Sequence, residues 1–142
     1  RYASLYNNMA LVYSDIGEYE QAEELSRKAE EILLTDPDSA AELAATYVSM
    51  AVNAAKRAKA AARAEKGAET TAAEPFDCTA VPQTREFVGK AMALLDPEGE
   101  YPDQYYAYMA MVNSNSLKQL GFAAEAQRLV ERAQDFYAKI RG

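Results

Sequence analysis

The sequence predicts an all-α fold of antiparallel helical hairpins, and three observations carry that prediction. Apolar residues recur at helical spacing in Tyr19, Ala22, Leu25, Ala29, Ile32 and Leu33, and again from Phe122 to Ile140; each set makes one face of a helix. Turn signals punctuate the chain: Gly17 and Gly121 tolerate the left-handed conformation that ends a helix, and Asp36-Pro37 and Asp96-Pro97 interrupt one. Between them, residues 40–66 are dominated by Ala, Glu, Lys and Arg, which are strong helix formers.

Taken in order, the first helix covers about Tyr2 to Asp15 and stops before Gly17, and its partner runs from Tyr19 to the break at Asp36-Pro37. Ser39-Ala40-Ala41-Glu42 is a capping box, a helix-start signature. It opens one unusually long helix that reaches Lys66, with a kink expected near Asn53. Residues 67–83 hold two prolines, three threonines and no periodicity, so they predict a loop. Helix resumes near Thr84 with Phe87, Val88, Ala91, Leu94 and Leu95 on one face. The last hairpin opens at Pro102-Asp103, with Asp as cap, runs to about Leu120, and returns through Ala126, Leu129, Ala133 and Ile140.

The pattern repeats. Thirty-four residues separate Met9 from Leu43, Ala10 from Ala44 and Tyr13 from Tyr47. An offset of 104 relates Gly17, Ala22, Leu25 and Ala29 to Gly121, Ala126, Leu129 and Ala133, and Lys90-Ala91 to Asp96-Pro97 echoes Lys28-Ala29 to Asp36-Pro37. On these residues the chain resembles the tetratricopeptide repeat family, as a bacterial-type fragment of about three units. The units fall at 2–36, 38–96 and 102–141 of one domain spanning 1–142, the second split by an insertion near 59–83. The first unit matches throughout, the third in its second helix, and the second at its two ends. The resemblance implies a short right-handed solenoid of stacked hairpins; a hairpin array without repeat ancestry is the alternative. Because the first stripe begins beside Arg1, the sequence also reads as a domain excised from a longer protein, with further units on one or both sides.

Composition narrows the function. Of 142 residues, 49% are hydrophobic and 26% charged, which suits a globular domain. No apolar run approaches the roughly 18 residues of a membrane span, and no signal-peptide pattern is present, so a cytoplasmic location is expected. The net charge of −7 disfavours nucleic acid. The single cysteine, Cys78, cannot form an internal disulfide; lying in a loop without a basic neighbour in sequence, it does not read as a nucleophile. The chain has no histidine, which removes the commonest general base and most transition-metal sites. Asp96, Glu98, Glu100 and Asp103 cluster, but Pro97, Pro102 and the missing twelfth-position Glu argue for a capped turn rather than a calcium loop. No paired acids flank a recognisable cleft, so a carboxylate hydrolase is set aside. These points predict a protein that is not an enzyme and carries no cofactor and no metal.

The resemblance implies a non-catalytic scaffold that binds a protein or peptide, since the first helix of each hairpin in that family lines a concave groove. Carried over by position, the groove would use Ser4, Asn7, Leu11, Ser14 and Asp15 of the first unit, Ala41, Ala45 and Val48 of the second, and Tyr108, Met111, Asn115 and Lys118 of the third. Asn and Ser there would hydrogen-bond a peptide backbone. The family's carboxylate clamp wants a Lys and an Asn at successive turns of the first groove helix, where this chain has Asn7 and Leu11. With a charge of −7, a cationic or neutral apolar partner segment is expected. The alternative is an architectural segment of a larger regulatory or sensor protein that self-associates, a homodimer forming through exposed repeat ends. Lys56, Lys59, Arg63 and Lys66 share one face of the long helix and read as a solvated basic stripe. Tyr6 and Tyr13 read as a stacked core pair; Tyr101, Tyr105, Tyr106 and Tyr108 point in different directions, so some must lie at a surface.

Overall fold

The computed structural model describes residues 2–67 and 75–142. Among them are six α-helices, two short 3-10 turns and no strand. The helices are α1 (Tyr2–Asp15), α2 (Tyr19–Leu34), α3 (Ala40–Lys66), α4 (Pro82–Leu95), α5 (Gln104–Leu120) and α6 (Ala123–Arg141). The all-α prediction holds, and element boundaries fall where the turn residues put them. Gly17 at φ 87° and Gly121 at φ 102° occupy the left-handed region after α1 and α5. Asp103 caps α5 by accepting from the Tyr106 backbone N–H at 2.9 Å.

Packing joins the helices in consecutive pairs, α1 with α2, α3 with α4 and α5 with α6. In the middle pair, Thr84 Oγ1 donates to the Ala51 carbonyl at 3.0 Å, and Phe87, a turn later, stacks on Tyr47, a turn earlier. The chains of α3 and α4 therefore run antiparallel. The same logic sets α2 against α3, where Asn53 Nδ2 donates to Tyr19 O at 2.9 Å and Tyr47 Oη to Glu30 Oε2 at 2.7 Å. By contrast α1 and α3 run in the same direction, joined at Asn7–Thr46 and again at Asp15–Lys56. Alanines at the crossings (Ala29, Ala44, Ala51, Ala91, Ala107 and Ala133) are fully buried and let the helix axes approach closely. Phe87, Met50, Leu95, Leu117 and Leu129 fill the space between them.

Helix α3 is the spine, in contact with α1, α2, α4 and α5. It has 27 residues against 14 in α4, and because Thr84 already sits beside Ala51, the turns after Ala55 extend past the start of α4. Their side chains are mostly exposed.

Several sequence expectations are corrected. The capping box at Ser39 does not form: Pro37–Ser39 makes a 3-10 turn, and the Ser39 hydroxyl donates to Asp36 Oδ2 at 2.9 Å. Asp36 takes the capping role instead by accepting from the Asp38 N–H at 3.0 Å, and this turn chemistry holds its carboxyl below the ordinary carboxylate range. At Asn53 the helix continues unbroken, the amide reaching across to α2 rather than into its own backbone. Of the loop expected at 67–83, residues 68–74 lie outside the described residues, Cys78–Ala80 forms a 3-10 turn, and α4 starts at Pro82, with proline in its first turn. Tyr6 and Tyr13 are half-buried rather than core; Tyr6 packs at the edge of the core under the Lys28 ammonium of α2.

The acidic turn 96–103 is built of pairs and caps. Arg132 reaches from α6 to Asp96 Oδ1 at 2.9 Å and to the carbonyls of Pro97 and Gly99, Arg128 meets Asp96 Oδ2 at 3.1 Å, and Lys139 pairs with Glu100. Burial pushes the Asp96 carboxyl up, but hydrogen bonds from Arg132 and Arg128 outweigh it and hold the group below its usual range. Tyr101 is buried beneath the Arg132 guanidinium, donates to the Leu95 carbonyl at 2.6 Å, and is pushed up to about 12, chiefly by burial.

Candidate binding groove

Helices α1 and α5 flank α3, and between them lies a cavity of about 450 Å³. Its floor is one stripe of α3, in which Ala45, Val48, Ser49, Val52, Lys56 and Lys59 recur at three- and four-residue steps on a single helical face. Leu11 forms the α1 wall; Asn113, Ser116, Gln119 and Leu120 form the α5 wall. Cys78 comes in from the 3-10 turn before α4. This turn is held against the end of α5, where Thr79 lies against Gly121.

The lining sets apolar side chains among Ser49, Asn113, Ser116 and Gln119 and is cationic at one end. Asn113 is buried and oriented by donating Nδ2 to the Met109 carbonyl at 2.8 Å. Lys56 pairs with Asp15 at 2.9 Å. Lys59 is half-buried and has no carboxylate partner among the described residues. Among the described residues no carboxylate lines the cavity. The groove therefore carries the opposite sign to the chain as a whole, which bears −7.

The structure brings together only some of the residues the resemblance selected. Leu11, Ala45 and Val48 share this cavity, although Val48 is largely covered. Asn7 is turned to α3, donating Nδ2 to Thr46 Oγ1 at 2.9 Å, and Ser14 is buried without a hydrogen-bond partner for its hydroxyl. Ala41 is buried, Ser4 and Asp15 are exposed, and Asp15 is tied to Lys56. Tyr108 is exposed and lines neither hollow. Met111, Asn115 and Lys118 face away, into a separate hollow of about 420 Å³ shared with Ala126 and Val130 of α6. The physical reason is the rotation of α5: its inner face is Ala107, Ala110, Asn113, Ser114 and Leu117, so the wall turned to α3 is 113, 116 and 120 rather than 111, 115 and 118.

Two features escaped sequence reasoning. The basic stripe is not uniformly solvated: Lys56 and Lys59 line the cavity and Lys59 is half-buried there, whereas Lys56 and Arg63 are exposed. Their three- and four-residue spacing from Val48 and Val52 was the available signal. Cys78 has lysines in its cavity after all, because the chain folds back from the end of α3; nothing in the local sequence marks that return. Among the described residues, no three or more Cys, Asp or Glu side chains gather where they could hold a metal ion, and no helix is long and apolar enough to cross a membrane.

Compared with protein-family models, curated proteins and solved structures, the chain matches none of them.

Proposed function

We propose that this protein is a non-catalytic binding module whose groove, floored by α3 and walled by α1 and α5, holds an extended segment of a protein partner. The observation that carries this reading is one cavity in which three helices contribute an apolar floor, the Asn113 amide held by Met109, and the half-buried Lys59. Such a surface is concave, mostly apolar and sparingly polar, as binding sites generally are. A lining of this kind suits a role in holding a partner segment. The stacked-hairpin reading supports the same role, since the resemblance to tetratricopeptide repeats implies a groove between first helices.

The partner chemistry follows from the lining. An apolar side chain seated over Val48, Val52 and Leu120 would be desolvated, and an acidic group beside it would meet Lys59. The whole-chain charge argues for a cationic segment, but charge acts at short range in salt, over a Debye length of about 8 Å, so the groove's own lysines decide the sign.

Selection from a displayed random-peptide library on the immobilised protein tests this. Enriched peptides should combine an apolar residue with Asp or Glu and lose tenfold or more in affinity with Leu11→Glu or Lys59→Glu. Val130→Glu, on the other hollow, should leave affinity unchanged. Enriched peptides that bind Leu11→Glu and Lys59→Glu as well as the parent would refute the groove.

A further inference from the structure

On the outer side of α1, away from α3, Tyr2, Leu5, Met9 and Val12 are exposed, and Ile16 in the turn that follows, its N–H still bonded to the Val12 carbonyl, continues the row, with relative exposures between 37% and 65%. Their spacing is 3, 4, 3 and 4, the repeat of a helix seam that packs against another helix. We infer that this stripe is an interface between two copies of the chain, pairing α1 with α1 of a second copy, antiparallel about a two-fold axis near Met9.

Four observations select a second copy. First, the stripe is close to self-complementary: inverted about Met9, Tyr2 faces Ile16 of the other copy, Met9 faces its own counterpart, and Leu5 falls one position from Val12, so large apolar residues interleave. Second, charge does not oppose the approach. The chain bears −7, yet Asp15 is the only charged residue in α1, and Lys56 neutralises it; α2, α3 and α6 each carry seven charged residues. Third, the five side chains expose on the order of 500 Å² per copy, so pairing covers about 1,000 Å², the lower bound for a specific interface. Fourth, the competing acceptor is poorer: the hollow between α5 and α6 is half polar, with Ser114, Asn115, Lys118 and Gln127 in its lining. Antiparallel pairing also opposes the two helix dipoles.

The inference does not rest on the groove, since Leu11 and the stripe lie on different sides of α1. Sedimentation equilibrium from about 1 to 500 μM should show the mass rising from 15.6 kDa to a plateau at twice that value. Met9→Glu with Val12→Glu should hold the mass at one copy with helical content unchanged by circular dichroism, and Val112→Glu, exposed on α5, should dimerise normally. In a Cys78→Ser background, Met9→Cys should form a disulfide-linked dimer and Val12→Cys should not. A single-copy mass throughout the range overturns the inference, as does a dimer that survives Met9→Glu with Val12→Glu. Mass that grows past two copies and is lost in Val130→Glu assigns the stripe to a head-to-tail contact and overturns the two-fold pairing. A single-copy protein whose stripe takes up an unrelated amphipathic helix likewise overturns the choice of a second copy.

Discussion

Replacing Tyr47 with Phe should lower stability at neutral pH and remove part of the protein's sensitivity to alkali. The Tyr47 ring lies 6.4 Å from Phe87 and under the Lys90 ammonium, and its hydroxyl donates to Glu30 Oε2 at 2.7 Å. Phenylalanine keeps the ring contacts and deletes one hydrogen bond to a charged acceptor, which contributes about 1.5–3 kcal/mol. The lower end applies, because Glu30 retains Arg27 Nη1 at 3.3 Å. Burial first, and then the Glu30 carboxylate, push the Tyr47 hydroxyl from 10.0 up to about 12. A folded value above the unfolded one means that the native state holds this proton more tightly. The resulting stability is complete below pH 10 and is lost as pH rises from 10 towards 12. A gap of two pH units corresponds to about 2.7 kcal/mol.

The wild type should therefore stand about 1.5–2 kcal/mol above Tyr47→Phe at pH 7 and lose that lead in alkali. Urea unfolding at pH 7, 9, 10, 11 and 11.5, compared at each pH, isolates the Tyr47 contribution from lysines and from Tyr101, which both proteins share. A difference that stays constant from pH 9 to 11.5 would refute the reasoning, since a phenol with no folded-state shift gives no such slope.

Three further outcomes follow from named contacts. Gly121→Ala places a Cβ 3.0 Å from Thr79 Cγ2 at φ 102°, so it should cost about 1–3 kcal/mol; adding Thr79→Ser should restore only the steric share, read from thermal midpoints. In a double-mutant cycle, Asn7→Ala and Thr46→Ala should couple by about 0.5–1.5 kcal/mol, and zero coupling would show that the 2.9 Å hydrogen bond does not join α1 to α3 in solution. Asp96 has a lowered folded pKa, so the stability it contributes is present above its ordinary value of 3.8 and is lost as pH falls below it; Arg132→Met should flatten that acid arm in denaturant titrations from pH 5 to 2.

How much of this was legible in the sequence depended on range. Local chemistry read well: Gly17, Asp36-Pro37, Asp103 and Gly121 act within a turn or two of their own position, and they end or start helices where expected. The Ser39 box failed because Ser39 is drawn into the 3-10 turn, with φ −100° and ψ 22° rather than the extended backbone of a cap, and its hydroxyl is turned back to Asp36. The face assignments divide between two hollows for a different reason. Carrying groove positions along a fixed offset treats α5 as presenting the face that α1 presents, but a helix turns about 100° per residue. Asn113 is therefore a wall of the cavity, whereas Asn115, two positions on, opens into the hollow beside α6. Residue spacing marks a stripe; which neighbour covers it is a tertiary fact.

The long α3 helix turns that distinction into a statement about the groove. A middle hairpin of equal arms would end near Ala55, leaving Leu11, Val48 and Val52 at the rim of an open apolar trough. Because α3 runs on, Lys56 and Lys59 stand at its end, and because the chain returns from that extension, Cys78 closes one side. Lys56 is already balanced by Asp15, so any anion attracted to this end meets Lys59 as its main cation. The stretch that breaks the repeat pattern is thus the one that gives the groove its charge and its boundary. Neither its apolar floor nor the net charge of −7 would alone have supplied them.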